Sequence, residues 1–301
     1  MIRKITDVEF PSSDWRLSGL DWGIVEIGSR DSYWWWRWLT TRAWLVGRYS
    51  QQYLCNQMAD EVEITGVGNK PASSAGSSLN WSQWQLLDSI LPTGGFAHSF
   101  GLEAAIGTHF VCGTEDLRTF LTHVLENTGS LLLPFVYSAS RSPDADTLRE
   151  LDRTLDAMLT NEVSRKASIA QGSALMRVAA AAFTEIPSLK EMRSHFLGSG
   201  SVCFHHAPVF GLICGLLGFD GEMSQRAYVF ITMRDVLSAA TRLNLVGPLG
   251  AAILQHQISD VAEAVVEKWK NRAADDACQT VPLLDVIQGC HGYLFSRLFC
   301  S

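Results

Sequence analysis

The chain has 301 residues, 47% of them hydrophobic and 18% charged, which is enough apolar material for one large or two smaller globular domains. A formal net charge of -7 with no basic run excludes nucleic acid as an expected partner, because phosphate binding needs clustered Lys and Arg. The longest apolar run, Ala207 to Phe219, is broken by Gly211, Gly215 and Gly218 and is shorter than the roughly 20 residues that span a bilayer, so no membrane partner is expected. The seven cysteines are odd in number and scattered, with no C-x-x-C, which suggests neither a disulfide framework nor a zinc site and fits a reducing, cytoplasmic setting.

Residues 1–57 hold seven of the ten tryptophans, including Trp34-Trp35-Trp36, without helical or alternating order. No apolar stretch follows Met1 to Thr6 as a secretory signal requires, and Asp7, Glu9, Asp14, Asp21 and Glu26 do not suit a transit peptide. The tryptophans are read either as an aromatic binding surface or, preferably, as part of an irregular, dispensable extension over 1–80, with Met58 an alternative start. From Met58 to Asn80 the chain is acidic and then Gly- and Ser-rich, as a flexible leader is.

An all-helical domain over 81–301 is expected. Trp81, Trp84, Leu87, Ile90 and Leu91 recur at helical spacing, Pro92, Gly94 and Gly95 make a corner, and a second helix is expected from His98 or Ser99. Thr114, Glu115 and Asp116 read as an N-cap and acidic first turn before Leu117, Phe120, Leu121, Val124 and Leu125. Ser142-Pro143 places Pro at the first position of a helix striped by Leu148, Leu151, Leu155, Met158 and Leu159, and Ser188 with Glu191 reads as a capping box. Arg226 to Val246 is apolar nearly all round and is expected to be the central helix, followed by a stripe of Val261, Val265, Val266 and Trp269. Strand patterns are nearly absent, so the expected fold is an all-α bundle of about ten helices.

Catalytic chemistry is sparse. No Gly-Lys pair exists, hence no P-loop, and there is no H-E-x-x-H. Cys203, His205 and His206 invite a metal reading, but adjacent helical residues project about 100° apart, which favours a structural or interface role for the histidines. The rival enzymatic reading is a serine hydrolase of α/β type, with Ser99 in Ala97-His98-Ser99-Phe100-Gly101 as the nucleophile elbow. That motif needs a strand before it, where this chain has Pro92, Thr93, Gly94 and Gly95. Arg165, Arg177 and Arg242 lie in apolar or small-residue surroundings and need either internal partners, with Glu103, Glu162 and Asp235 as candidates, or a partner protein.

Several motifs occur in one order: Leu87-Asp88-Ser89, Leu91 to Ser99 and Gly101-Leu102-Glu103; Asn161 to Arg165 with Gln171 to Leu175; His205 to Gly211; Ala240 to Pro248; and the tail Tyr293 to Ser301. In this set the chain resembles the urease accessory protein F family from Trp81 onward. The resemblance implies an all-α, non-enzymatic homodimer that binds accessory protein D and the GTPase accessory protein G. Through them it would act on apo-urease, with nickel handled by the complex and no cofactor held by this chain. Partner contacts are then expected at the corner (Pro92, Gly94, Gly95, Phe96, His98, Ser99, Glu103) and along the helices (Arg165, Arg177, His205, His206, Arg242). The tail supplies a third set, Tyr293, Ser296, Arg297, Leu298 and Phe299, read as ordering on the partner with Phe299 and Leu298 buried there and Arg297 paired to a carboxylate or carbonyl across the interface. One departure from the family pattern is Gly250, where a longer polar residue is common.

Overall fold

The computed structural model describes residues 75–301, with side chains from Trp81 onward, and every regular element in that span is helical. The tryptophan-rich stretch 1–57 and Met58 lie outside the described residues, as does the expectation of a dispensable extension there. Among the described residues no helix is long and apolar enough to cross a membrane.

The first helix, α1 (Ala75–Leu87), starts inside the Gly- and Ser-rich stretch and ends before Ile90. The expected stripe therefore does not form: Trp81, Trp84 and Ile90 are 71% exposed or more, and the buried positions are Ser82, Leu86 and, in the turn that follows, Leu91. Polar contacts fix this helix, with Ser82 Oγ donating to Glu185 at 2.6 Å and Gln83 Nε2 to the Leu217 carbonyl at 2.8 Å.

The corner also differs from expectation. A single 3-10 turn, Gly95–Ala97, precedes an extended His98, and α2 (Leu102–Gly107) begins only after Gly101. His98 stays extended because the backbone on either side of it is engaged elsewhere: Cys300 N–H donates to the Ala97 carbonyl and Ser99 N–H to the Ser301 carbonyl, each at 2.8 Å. Gly94 (φ 79°) and Gly101 (φ 86°) supply the left-handed turns on either side.

Next comes α3 (Thr114–Asn127), which has the expected acidic first turn, although Gly113 and not Thr114 is the cap; Leu117, Phe120, Leu121, Val124 and Leu125 are all buried. A π-helical turn, Thr128–Leu132, leads into α4 (Leu133–Arg141). The helix expected from Pro143 begins later, as α5 (Ala145–Met158), because Asp144 is the better cap: its carboxylate accepts from the N–H groups of Asp146 and Thr147. After it, α6 (Glu162–Ala182) is capped by the Asn161 side chain. In α7 (Pro187–Ser199) the capping box at Ser188 does not form, since Pro187 takes the first helical position and draws Ser188 into the helix. There follow α8 (His206–Leu216), α9 (Gly221–Arg242), α10 (Pro248–Gln257), α11 (Ser259–Trp269) and α12 (Pro282–Cys290).

The central place expected for 226–246 is shared. Helix α9 ends at Arg242 and leaves Met223 and Phe230 exposed, whereas every residue of α8 from Ala207 to Cys214 is buried. Helix α8 packs most extensively on α4 and then on α6. The α4 contact depends on Gly211 and Gly215, where a Cβ would run into the carbonyl oxygens of Val136 and Ser140. The crossing helices bury large side chains completely, Leu133 and Phe135 on α4 and Phe210 on α8, each contributing about 1.5–3 kcal/mol by leaving water.

Candidate functional site

The structure brings the corner, the start of α8 and the end of the chain together. Glu103 on α2 is the anchor: its carboxylate accepts the N–H groups of Leu298 (2.5 Å) and Phe299 (3.1 Å) and lies 3.3 Å from Nε2 of buried His291. Ser99 donates both its N–H and its hydroxyl to the Ser301 carbonyl, at 2.8 and 2.7 Å, and Ser301 Oγ lies 2.7 Å from Nδ1 of His98. Arg242 donates to the Phe96 carbonyl and sets its guanidinium 4.3 Å from the centre of the Phe299 ring. Phe299 is thus buried within its own chain, which corrects the expectation of a tail that awaits a partner for its order. What the tail leaves exposed is Tyr293, Phe295, Ser296, Arg297 and Leu298, with Arg297 donating to the Gly292 carbonyl at 2.9 Å. Pro92 and Gly94 are exposed at the corner, and Gly95 is buried hard against Asp235.

Ser99 has no exposed surface and its hydroxyl is already bonded, and no strand precedes it among the described residues. An elbow nucleophile must stand free above its turn, so the hydrolase reading fails on geometry.

The two adjacent histidines diverge. His205 is fully buried, with Nδ1 3.1 Å from Ser168 Oγ and Nε2 3.1 Å from Asp156. Asp156 also pairs with Arg165 at 3.2 Å. The carboxylate of Asp152 accepts the N–H groups of Cys203 and His205, at 2.6 Å each, and so pins the segment that enters α8. His206 turns the other way, its Nδ1 3.2 Å from the Tyr228 hydroxyl. None of the carboxylates proposed for the arginines serves them as an ion pair: Glu103 holds the tail, Glu162 pairs with Lys166, and Asp235 with Arg234. Arg177 is exposed and forms no ion pair with a described residue. At Gly250 an added Cβ would press on the Val246 side chain, so the local packing suits glycine.

Behind the corner lies a cavity of about 100 Å³ whose wall includes His98, His206, Tyr228, Ser168, Gln171 and Asn127. Sequence reasoning found the two histidines but missed Asn127, Ser168 and Tyr228, which carry no signal of their own, and had Gln171 only as part of a motif. Burial, and then the neighbouring His291, lower the His98 pKa to about 4; burial, then His98 and Arg234, lower that of His206 to about 3. In the unfolded chain both rings titrate near 6.5. The folded state therefore binds fewer protons, and stability is complete above about pH 6.5 and falls as pH drops toward about 4, by up to about 1.4 kcal/mol per pH unit for each ring. Buried Asp152 and Asp235, whose carboxyl pKa values burial raises, pull the other way, and a change at His206 leaves them in place. Thermal melting at about pH 7 and about pH 5 should show this acid loss, and His206→Gln should reduce the difference between the two; an unchanged difference would count against the assignment.

The family model described as UreF matches residues 111–259. A urease accessory protein F of Arabidopsis thaliana is 69% identical over 229 residues, covering 76% of this chain and 95% of the relative. The chain belongs to the urease accessory protein F family. Its counterpart in Oryza sativa subsp. japonica is 66% identical over 230 residues, covering 76% and 88% of the two chains. A more distant member from Arthrobacter sp. (strain FB24) is 30% identical over 232 residues, covering 76% of this chain and all of the relative. Urease accessory protein F is an accessory family and not a catalytic one, in keeping with the occupied hydroxyl of Ser99.

Proposed function

We propose that this protein acts in urease maturation as a cytoplasmic, dimeric binding component that joins accessory protein D to the GTPase accessory protein G. It would thereby help couple GTP use to nickel delivery into apo-urease, with the metal handled by the assembled complex. The family relationship supports the maturation role, since the relatives carry the name urease accessory protein F. One observation carries the binding role: Tyr293, Phe295 and Leu298 stand exposed around Arg297 on a segment whose far end is anchored by Glu103, Ser99 and His98. Anchoring removes much of the ordering entropy that a free tail loses on association, and aromatics beside an Arg have hot-spot composition. Of the other expected contact residues, Glu103, Ser99, His98 and Arg242 act by holding this segment in place.

The test is capture of accessory protein D by the chain carrying Tyr293→Ala, Phe295→Ala or Leu298→Ala. Removing an anchor should weaken binding by about 2 kcal/mol or more while the helical spectrum and melting stay normal. Undiminished capture by all three variants would overturn the proposal for this face.

A further inference from the structure

We propose that Arg234 is a positioning residue for the partner-binding tail: its guanidinium ties together both ends of the corner, and the corner fixes the backbone on which the tail is anchored. The inference rests on the reading of the exposed tail as a binding face. From α9, Arg234 reaches the chain on either side of the corner. Its Nη1 donates to the Leu87 carbonyl at the end of α1, at 2.7 Å, and its guanidinium lies over the Phe96 ring, 5.1 Å from the centre. The rest of the fork, Nε and Nη2, is taken by Asp235 Oδ1, at 2.8 Å each. A lysine could not serve all three, because an ammonium is a point charge and not a planar fork with a stacking face.

The contacts continue from the corner into the tail. Asp235 is buried, and a Cβ on Gly95 would overlap its Oδ2, so the carboxylate that Arg234 holds is the wall against which the corner turns. Burial raises the Asp235 carboxyl pKa, and Arg234 and then Arg242 oppose it, so this carboxylate also couples the two arginines. Arg242 lies two turns further along the same face of α9 as Asp235, donates to the Phe96 carbonyl and stacks on Phe299. The next corner residue, Ala97, accepts the Cys300 N–H, and Ser99 donates to Ser301. A series of contacts thus begins at Arg234, passes through Asp235, Gly95, Phe96 and Arg242, and ends on the tail. With its side chain 19% exposed, Arg234 offers a partner little surface of its own, so its effect passes through the corner.

The experiment compares amide hydrogen exchange in the full chain, wild type and Arg234→Lys, at the Phe299 and Cys300 N–H groups that anchor the tail and at Leu212 to Cys214 inside α8. Arg234→Lys should speed exchange at the tail amides at least about tenfold more than at the α8 amides. Gly95→Ala, whose Cβ displaces the Asp235 carboxylate from the other side, should do the same, and it carries the test if the lysine variant does not fold. Unchanged tail exchange in a folded variant would overturn the assignment, and so would equal acceleration at the tail and in α8, which marks a general loss of stability. Capture of accessory protein D by the same variants keeps the two readings apart. Faster tail exchange with weakened capture supports both; faster tail exchange with undiminished capture supports the role of Arg234 in holding the tail and counts against the tail as the binding face.

Discussion

Replacing Gly172 with alanine is expected to destabilise the fold by about 3 kcal/mol, at the upper end of what one added methyl usually does in a packed interior. A Cβ at this point of α6 would overlap the Phe204 carbonyl oxygen and press on the backbone at His205 and His206. Flexible side chains can yield to such an intrusion; here the opposing atoms are main chain. The segment cannot retreat, because Asp152 grips it through two N–H groups and Phe204 already sits at φ 63°, a left-handed conformation that non-glycine residues rarely adopt. Thermal melting of Gly172→Ala beside Gly289→Ala provides the contrast. Nothing lies within 4 Å of a Cβ at Gly289, so that helical substitution should be neutral or mildly stabilising. Equal melting of the two variants would show that the α6 contact is looser than described.

The second large effect is expected at Asp152. Its side chain has no exposed surface, and its two oxygens each accept one backbone N–H across a separation of 51 or 53 residues. Asp152→Ala would leave both donors buried and unpaired, and at about 1–3 kcal/mol each the net loss should be about 3 kcal/mol once relief from burying the carboxylate is counted. Asp152→Asn should recover only part of this, since its amide group meets one of the N–H groups donor to donor. Chemical denaturation of the three proteins checks the order: wild type, then Asn, then Ala. Because Gly172 and Asp152 act on the same few backbone atoms, the double variant should lose less than the sum of the two single losses.

Where sequence and structure agree, the signal is local. The buried face of α3 follows from the spacing of Leu117, Phe120, Leu121, Val124 and Leu125. His205 and His206 do diverge, but for another reason than the helical angle: His205 is the extended residue before α8, and only His206 is helical. Disagreement appears where a distant segment decides the backbone. His98 and Ser99 look ready to begin a helix, yet Cys300 and Ser301, some 200 residues on, bond the backbone on either side of His98 and hold it extended. Two plausible caps lost to a neighbour: Asp144 starts a helix better than Ser142-Pro143 does, and Pro187 displaced Ser188. The cavity was the least legible feature. Whether Asn127 or Gln171 lines it depends on six elements meeting in space, and no spacing along the chain encodes that.

The glycine-mediated crossing of α4 and α8 has a further effect on how a nascent chain must mature. The two helices lie about 70 residues apart in sequence, with α5, α6 and α7 between them. At about 5–20 residues per second, α4 therefore leaves the ribosome several seconds before the helix that covers it. Over that interval Leu133, Phe135 and Val136, all fully buried in the finished protein, have no α8 to cover them. Early cover must come from α5, which packs on α4 and is synthesised before α8, and that makes the α4 and α5 pair the natural place for folding to begin.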